Sequence, residues 1–169
     1  HQMKTNRVRN FFYLFFLSII VWLCLTSSLK SEELITGIGI SFLLALFLTG
    51  TYFTLGLPPF SLKRFGYFVR YIFVLFKEIV KANFDVAYRV IHPKMPIKPG
   101  IVVIKTNLKQ DIAKLMLANS ITLTPGTFTL DIIGDKLLIH WINVKSDNVE
   151  KATEIIGKKF EKYLREIFK

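Results

Sequence analysis

The chain has 169 residues, of which 51% are hydrophobic and 14% aromatic, and its mean hydropathy is +0.41. This composition argues against a purely soluble domain and predicts a membrane protein with a modest polar part. The net charge of +11 is spread along the chain, which favours cytoplasmic topology and attraction to anionic lipid over nucleic-acid binding. Cys24 is the only cysteine, which excludes a disulfide framework and a cysteine-based metal site.

The first apolar run is Phe11–Leu29, which carries no charged side chain and follows Lys4, Arg7 and Arg9. Its length predicts a first membrane span over residues 11–29. A secretory signal peptide is the competing interpretation, because a basic start and an apolar middle are typical of both. The length of the run, and a second apolar run directly after it, favour the span.

The second apolar run, Leu34–Leu57, also lacks charged residues and ends at two prolines, which stop a helix. It predicts a second span over residues 34–57. Small residues recur there at every fourth position and form one narrow stripe, which lets membrane helices approach closely. This stripe packs against the chain's own first span, against another subunit, or against both along different halves. Its members are candidates for subunit packing: Gly37, Ser41, Ala45 and Thr49.

Charges around these runs predict the topology. The turn between them, Lys30–Glu33, is net negative, whereas basic residues precede the first run and Lys63-Arg64 follows the second. Positive charge marks the cytoplasmic side of membrane spans. Residues 1–64 are therefore predicted to form a transmembrane hairpin in the plasma membrane, with both chain termini in the cytoplasm.

Residues 65–92 have a different pattern, with all charged side chains within about 120° of a helical wheel and apolar residues elsewhere. This pattern predicts an amphipathic helix lying in the plane of the lipid headgroups. A third span buried in a helix bundle is the alternative. Asn83 falls on the apolar side, and a buried amide needs a partner. We therefore expect Asn83 to hydrogen-bond to another helix and include it among the subunit-packing candidates.

Prolines mark residues 93–100 as a linker, and residues 101–169 predict a small cytoplasmic α+β domain of order β-α-β-β-α. The expected strands and helices are Ile101–Thr106, Asp111–Ser120, Thr127–Ile133, Lys136–Val144 and one last helix ending near Ile167. The short helix should carry Ile112, Leu115, Met116 and Asn119 on one side. Overall, the sequence predicts a helical transmembrane hairpin, an interfacial helix and a small α+β domain.

Two local features of that domain can be predicted in detail. Gly134-Asp135 is a two-residue hairpin signal, and simple pairing across it sets Phe128 opposite Trp141, Leu130 opposite Ile139 and Ile132 opposite Leu137. Asp147 with Glu150 resembles a capping box that begins the last helix.

The run Ala118–Thr127, ANSITLTPGT, together with the later Leu138–Trp141 strand, resembles the hallmark of the E-type subunits of Mrp-type multisubunit cation/proton antiporters. The segments Glu78–Ala87 and Pro99–Val102 are also similar to that family. The resemblance covers the whole chain. It implies a structural component of a hetero-oligomeric antiporter module, of the kind also carried by archaeal membrane-bound hydrogenases and related respiratory complexes.

The resemblance implies other small membrane subunits as partners, alongside membrane lipid, and no nucleic acid. It assigns no catalytic, cofactor-binding or metal-binding residue, and the sequence itself has no phosphate loop or metal-ligand spacing. The apolar runs lack the charged groups that ion pathways need, so we expect other subunits to carry the ions. A free-standing membrane-anchored binding domain with a basic tail is the alternative. The motif is either a helix-to-strand connection or a subunit-docking loop, and its residues complete the packing candidates: Thr122, Thr124, Pro125 and Gly126.

Overall fold

The computed structural model describes the backbone of residues 2–54, 58 and 61–169, and side chains from residue 7 onward within these ranges, except residues 53 and 54. The chain divides into two compact units, His1–Ser61 and Leu62–Lys169. The predicted end of the second span, at residues 55–57, lies outside the described residues.

The first unit is a helical hairpin of α1 (Gln2–Thr26) and α2 (Ser31–Thr54). By length and composition, residues Arg7–Thr26 and Ser31–Tyr52 are candidate membrane spans. The first helix ends three residues before the predicted Leu29, because the chain turns at Ser27, whose φ is +48°. The second helix begins three residues before the predicted Leu34 and takes two glutamates into its first turn, where acidic side chains favour a helix.

The stripe of small residues lies inside this hairpin. Ser41, Ala45 and Thr49 are at most 7% exposed, and α1 packs against α2 along this side. Phe42 adds edge-to-face ring contacts with Phe11 and Phe15 of α1, at 5.5 and 6.4 Å between ring centroids. Of the two interpretations of the stripe, the structure therefore shows the packing of the chain against its own first helix.

The second unit contains a long helix and a small α+β domain. Helix α3 is Leu62–Ile91, and it is followed by β1 (Gly100–Lys105) and α4 (Asp111–Leu123). Strands β2 (Thr127–Ile133) and β3 (Lys136–Trp141) precede two short helices, α5 (Val149–Ile156) and α6 (Lys158–Ile167). The three strands form an antiparallel sheet of order β1-β3-β2.

The core of this unit lies between one face of the sheet and the helices. Helix α5 packs against β1, α4 packs against β2, and α3 packs against α6. The fully buried side chains come from the sheet and from α4, α5 and α6, while α3 contributes Tyr71 at 4% exposure. The largest of them are Ile104, Leu117, Ile121, Leu137, Ile139, Phe160 and Leu164.

The structure corrects the predicted pairing of β2 with β3. Ile132 pairs with Leu137 as expected, but a β-bulge between Thr129 and Asp131 shifts the register beyond it. Trp141 therefore pairs with Thr127 rather than Phe128, and Ile139 pairs with Thr129 rather than Leu130. Because one residue of shift reverses the face of a strand, Phe128 is 52% exposed while its predicted partner is buried.

Three further expectations about this domain are wrong. Helix α4 extends to Leu123 and buries Ala113, Leu117 and Ile121, while Leu115 is 48% exposed. The last helix is two helices, with Gly157 as the junction between them. Its N-terminal cap is Asn148 rather than Asp147, since the Asn148 side chain accepts bonds from two backbone N–H groups of α5.

Candidate functional site

A cavity of about 210 Å³ opens in the second unit, where α3 meets the α4–β2 turn, the end of β3 and helix α6. It is the place where the hallmark motif meets charged residues distant in sequence. Its charged lining residues are Glu78, Lys81, Asp85, Arg89, Lys145 and Lys159, and its motif residues are Thr124, Pro125, Gly126 and Thr127.

The motif forms the turn that leads from α4 into β2. Pro125 follows the last helical turn, and Gly126 has a φ of +89°, a conformation that favours glycine. The Thr124 hydroxyl donates to the Ser120 carbonyl at 2.8 Å, and the Thr127 hydroxyl donates to the Ile121 carbonyl at 2.7 Å. These hydroxyls therefore bond to carbonyl groups at the end of α4, where the Ile121 carbonyl also accepts the backbone N–H of Thr124 at 3.1 Å.

The remaining threonines of this region secure β2 to α4. The Thr122 hydroxyl accepts from the Thr129 amide at 3.1 Å, and the Thr129 hydroxyl donates to the Ala118 carbonyl at 3.1 Å. The turn also touches α3, since a Cβ added at Gly126 would lie 3.5 Å from Val86 Cγ2. The motif is thus a structural joint between α4, the sheet and α3.

Arg89 organises the charged side of the cavity. Its Nε and Nη2 donate to the two carboxylate oxygens of Asp85 at 2.8 and 3.0 Å, and its Nη1 donates to the Pro96 carbonyl at 2.5 Å. With the Asn143 amide turned so that its oxygen faces the guanidinium, that oxygen accepts from both terminal nitrogens at 3.1 Å. Arg89 therefore ties α3 to the proline linker and to the segment after β3.

The hydrogen bond from Arg89 holds the pKa of the Asp85 carboxyl below its usual value, with help from the charges of Lys145 and Lys81. The same bond raises the pKa of Arg89. A lowered carboxyl pKa means that the pair stabilises the fold above the pKa of the unfolded carboxyl and loses this contribution as the pH falls through the lowered value. Asp85 thus forms an ion pair with Arg89, and this pair favours the ionised carboxylate.

Two further contacts fix α3 against the domain. Lys159 Nζ of α6 lies 2.5 Å from Glu78 Oε2, and both side chains are partly buried. The Tyr71 hydroxyl bonds to Ser120 Oγ, which itself donates to the Met116 carbonyl, so the tyrosine is the donor of the first bond. Burial raises the pKa of the Tyr71 hydroxyl above its usual value.

Only part of the predicted set of packing residues meets at this cavity. Thr124, Pro125 and Gly126 line it, and Thr122 supports it from α4. Asn83 lies on the opposite side of α3, where it is exposed and its amide donates to the Ile79 carbonyl at 2.8 Å. The residues Gly37, Ser41, Ala45 and Thr49 belong to the hairpin.

The long-range partners of this site were not predicted from the sequence. Glu78 and Lys159 are 81 residues apart and Tyr71 and Ser120 are 49 apart, so no local pattern connects them. The local spacing of Asp85 and Arg89 does correspond to a salt bridge, whereas Lys81 makes none with Asp85 among the described residues. Within the part of the chain that the structure describes, no group of three or more histidine, cysteine or acidic residues has metal-binding geometry.

The chain is similar to known antiporter subunits over most of its length. A family model described as Na⁺/H⁺ ion antiporter subunit matches residues 15–167. The E-type subunit of a Na⁺/H⁺ antiporter from Bacillus subtilis is 35% identical over 146 residues, covering 86% of this chain and 90% of that protein. Its counterpart from Alkalihalophilus pseudofirmus is 33% identical over 154 residues, covering 89% and 92%.

A solved structure is also similar along nearly the whole chain. It is a chain of the membrane-bound sulfane sulfur reductase, an archaeal respiratory membrane complex. The two chains are 51% identical, with a TM-score of 0.80, and the match covers 95% of this chain and 99% of the other.

Proposed function

Because this chain belongs to the family of Na⁺/H⁺ ion antiporter subunits, we propose that it is an accessory membrane subunit of a multisubunit antiporter module. Its task there is to brace neighbouring subunits, while those subunits carry the cations and protons. The observation that carries this proposal is the family match over residues 15–167, combined with two apolar runs that contain no acidic, basic or histidine side chain. Ion pathways through lipid need such groups at depth.

The geometry of the second unit supports a bracing role. Ionic groups of its cavity bind one another, as Asp85 does with Arg89 and Glu78 with Lys159, and they hold helix, linker and domain together. Ion pairs that join distant segments favour one arrangement of those segments over others. A subunit built in this way would hold neighbouring subunits of the transport module in position.

We also propose which type of assembly contains the chain. Its identity to the archaeal respiratory-complex chain, 51%, exceeds its identity to the two bacterial antiporter subunits, 35% and 33%. This difference supports an antiporter module inside a redox-driven respiratory complex.

Affinity purification of the tagged full-length chain from native membranes in mild detergent, followed by mass spectrometry, tests both proposals. Co-purification of redox and antiporter subunits is expected, and recovery of the chain alone would favour a free-standing membrane-anchored domain.

The topology can be tested by cysteine labelling in intact cells. We propose that both termini are cytoplasmic, because the hairpin turn is net negative and the flanks are basic. In a background with Cys24 replaced by serine, a membrane-impermeant maleimide should label Ser31→Cys from outside. It should label Ser146→Cys only after lysis. Labelling of Ser146→Cys in intact cells would contradict the proposed orientation.

Asn83 is the residue that we expect to bond to a neighbouring subunit. It lies among exposed apolar residues of α3, and its side-chain oxygen accepts no hydrogen bond within the described residues. Losing one such bond typically costs about 1 kcal/mol, and more if a buried partner is left unpaired. Asn83→Leu should therefore lower the yield of assembled complex on native gels, with cation transport per assembled complex unchanged.

The matched control for this prediction is Asn119→Leu, which makes the same chemical change at an exposed position of α4. It should leave the yield of complex at the level of the unsubstituted chain. Equal yields for both variants would show that Asn83 does not bond to a neighbouring subunit.

A second variant, Asp85→Asn, tests the bracing role itself. Loss of transport per complex with assembly intact would indicate that this carboxylate takes part in ion transport directly.

A further inference from the structure

Helix α3 carries four basic side chains along one edge, which we call the basic ridge: Lys63, Arg70, Lys77 and Lys81. The first three are spaced by seven residues, which is nearly two helical turns, and all four fall within about 40° of the helical wheel. Between the first and the last, the ridge extends about 27 Å along the helix. All four side chains are exposed.

The acidic residues of α3 act on the ridge only at its end, where the charge of Lys81 lies near Asp85 at the cavity. Glu78 and Asp85 turn towards the cavity, where they pair with Lys159 and Arg89. Within the described residues, no ridge cation makes a salt bridge, and the guanidinium of Arg70 lies 6.0 Å from the centre of the Tyr67 ring. Lys63, Arg70 and Lys77 therefore form a line of positive charge without a salt bridge among the described residues, and Lys81 extends this line to the edge of the cavity.

A broad apolar surface lies directly beside the ridge. Phe73, Phe76 and Phe84 are 71%, 66% and 74% exposed, and apolar residues continue around to the other border of the helix. That other border carries Arg64 in the first turn, whose guanidinium donates to the Lys169 carbonyl at 2.6 Å, and Arg89 near the end of the helix, which pairs with Asp85. The cations of that border thus bond within the unit, whereas the ridge cations lie at the boundary with the exposed phenylalanines.

We propose that the basic ridge binds the phosphate groups of anionic phospholipids while the part of the apolar face beside it, with Phe73 and Phe84, enters the adjoining acyl region and leaves the far part, with Asn83, to a neighbouring subunit. Lysine and arginine at such a boundary extend their apolar stems over lipid and place their charges at the headgroups. Charge complementarity selects this occupant, because an apolar protein surface would leave four cations without partners. Only seven residues of the chain separate α3 from α2, a candidate membrane span. The inference rests on the proposed function and deepens it by naming the lipid partner of the interfacial helix.

The test uses the full-length chain in bilayers of equimolar phosphatidylcholine and phosphatidylglycerol. Spin-labelled forms of each lipid report their relative association with the protein. Each basic residue near an anionic surface adds to the attraction, and salt screens part of it, so we expect a preference of roughly fivefold for phosphatidylglycerol. Replacing the four ridge residues by glutamine should bring this preference close to one.

The matched control replaces four exposed lysines elsewhere in the same unit by glutamine, at Lys105, Lys109, Lys136 and Lys151, so both variants lose four charges. It should retain the preference. A third variant that keeps Arg70 and changes the ridge lysines to arginine should retain it too, which separates loss of charge from misfolding. Circular dichroism verifies that each variant is folded.

Two outcomes would overturn the proposal. The first is equal preference in the ridge variant and the control. The second is loss of the preference when excess inorganic phosphate replaces chloride at equal ionic strength, which would make the ridge a site for the free ion instead of a lipid headgroup. Either result leaves the co-purification test of the antiporter module unaffected, so the two proposals fail separately.

Discussion

Replacing Gly37 by leucine should open the helical hairpin. A Cβ at this position would lie 2.4 Å from Cδ1 and 2.6 Å from Nε1 of Trp22, well inside van der Waals contact. The indole would have to move, and its hydrogen bond to the Glu33 carbonyl, now 3.0 Å, would be lost. Overpacking of this kind costs about 1–3 kcal/mol, and the lost bond about 1 kcal/mol more.

The matched control is Gly39→Leu, two residues further along α2, where an added Cβ meets nothing within 4 Å. Both variants add the same side chain to the same helix. Detergent-dependent unfolding of the full-length chain, followed by the fluorescence of its tryptophans, should show a lower midpoint for Gly37→Leu alone. The same midpoint shift in both variants would show that the Trp22 side chain moves aside without destabilising the hairpin.

Ala45→Leu, at a position with 0% exposure, should lower the midpoint as Gly37→Leu does.

The second large effect is expected at Gly126, in the turn of the hallmark motif. Gly126→Ala puts a side chain on a residue with φ of +89°, which costs about 1–2 kcal/mol for an L-residue. It also places a Cβ 2.9 Å from Ile142 Cγ2, which adds a packing cost of about 1–3 kcal/mol. The sum is a large fraction of the free energy of unfolding of a typical domain, about 5–15 kcal/mol.

Gly134→Ala separates these two costs. Gly134 also has a positive φ, +62°, but an added Cβ there meets no atom within 4 Å. It should therefore lose only the conformational part, about 1–2 kcal/mol. Thermal unfolding of the full-length chain, followed by far-UV circular dichroism of the second unit's helices and strands, measures the difference. A destabilisation by Gly134→Ala equal to that by Gly126→Ala would mean that Ile142 adapts freely.

Local patterns were sufficient to predict the larger elements. The two apolar runs, the phase of the charges on α3 and the turn signals of the domain each depend on residues near one another in sequence. They predicted two long helices near the start of the chain and a small α+β domain, which the structure contains. Helix ends were less accurate, because they depend on single residues such as Ser27, whose positive φ the apolar pattern does not reveal.

The errors arise where tertiary packing selects between local options. The bulge near Leu130 places the Thr129 hydroxyl on the Ala118 carbonyl, a contact with α4 that no feature of the hairpin sequence contains. Two adjacent residues, Asp147 and Asn148, are both good N-caps, and the fold uses the second. The break between α5 and α6 at Gly157 also depends on tertiary packing. A Cβ added to this residue would lie 3.2 Å from the Ile104 side chain of β1.

The sequence was sufficient to predict the turn of the candidate site, but it was not sufficient to predict which charged residues pair there. Pro125 and Gly126 indicate a turn wherever they occur, so the motif could be placed between a helix and a strand. The pairs Glu78–Lys159 and Tyr71–Ser120 join segments whose separation in sequence hides their contact. One clue was present, because Tyr71 shares the polar side of α3 with Glu78 and Asp85, and that side is the one that packs on the domain.

The ties made by Arg89 have a mechanical consequence. A proline-containing linker between a helix and a domain is often a pivot, but here the guanidinium joins the end of α3 to the Pro96 carbonyl and to Asn143 beyond β3. Together with the Glu78–Lys159 and Tyr71–Ser120 contacts, these bonds favour a single orientation of α3, a helix about 45 Å long, on the domain. A displacement of α3 would therefore reach the sheet through several contacts at once, and Arg89→Ala would remove the tie to the linker while Glu78–Lys159 and Tyr71–Ser120 still hold α3 on the domain.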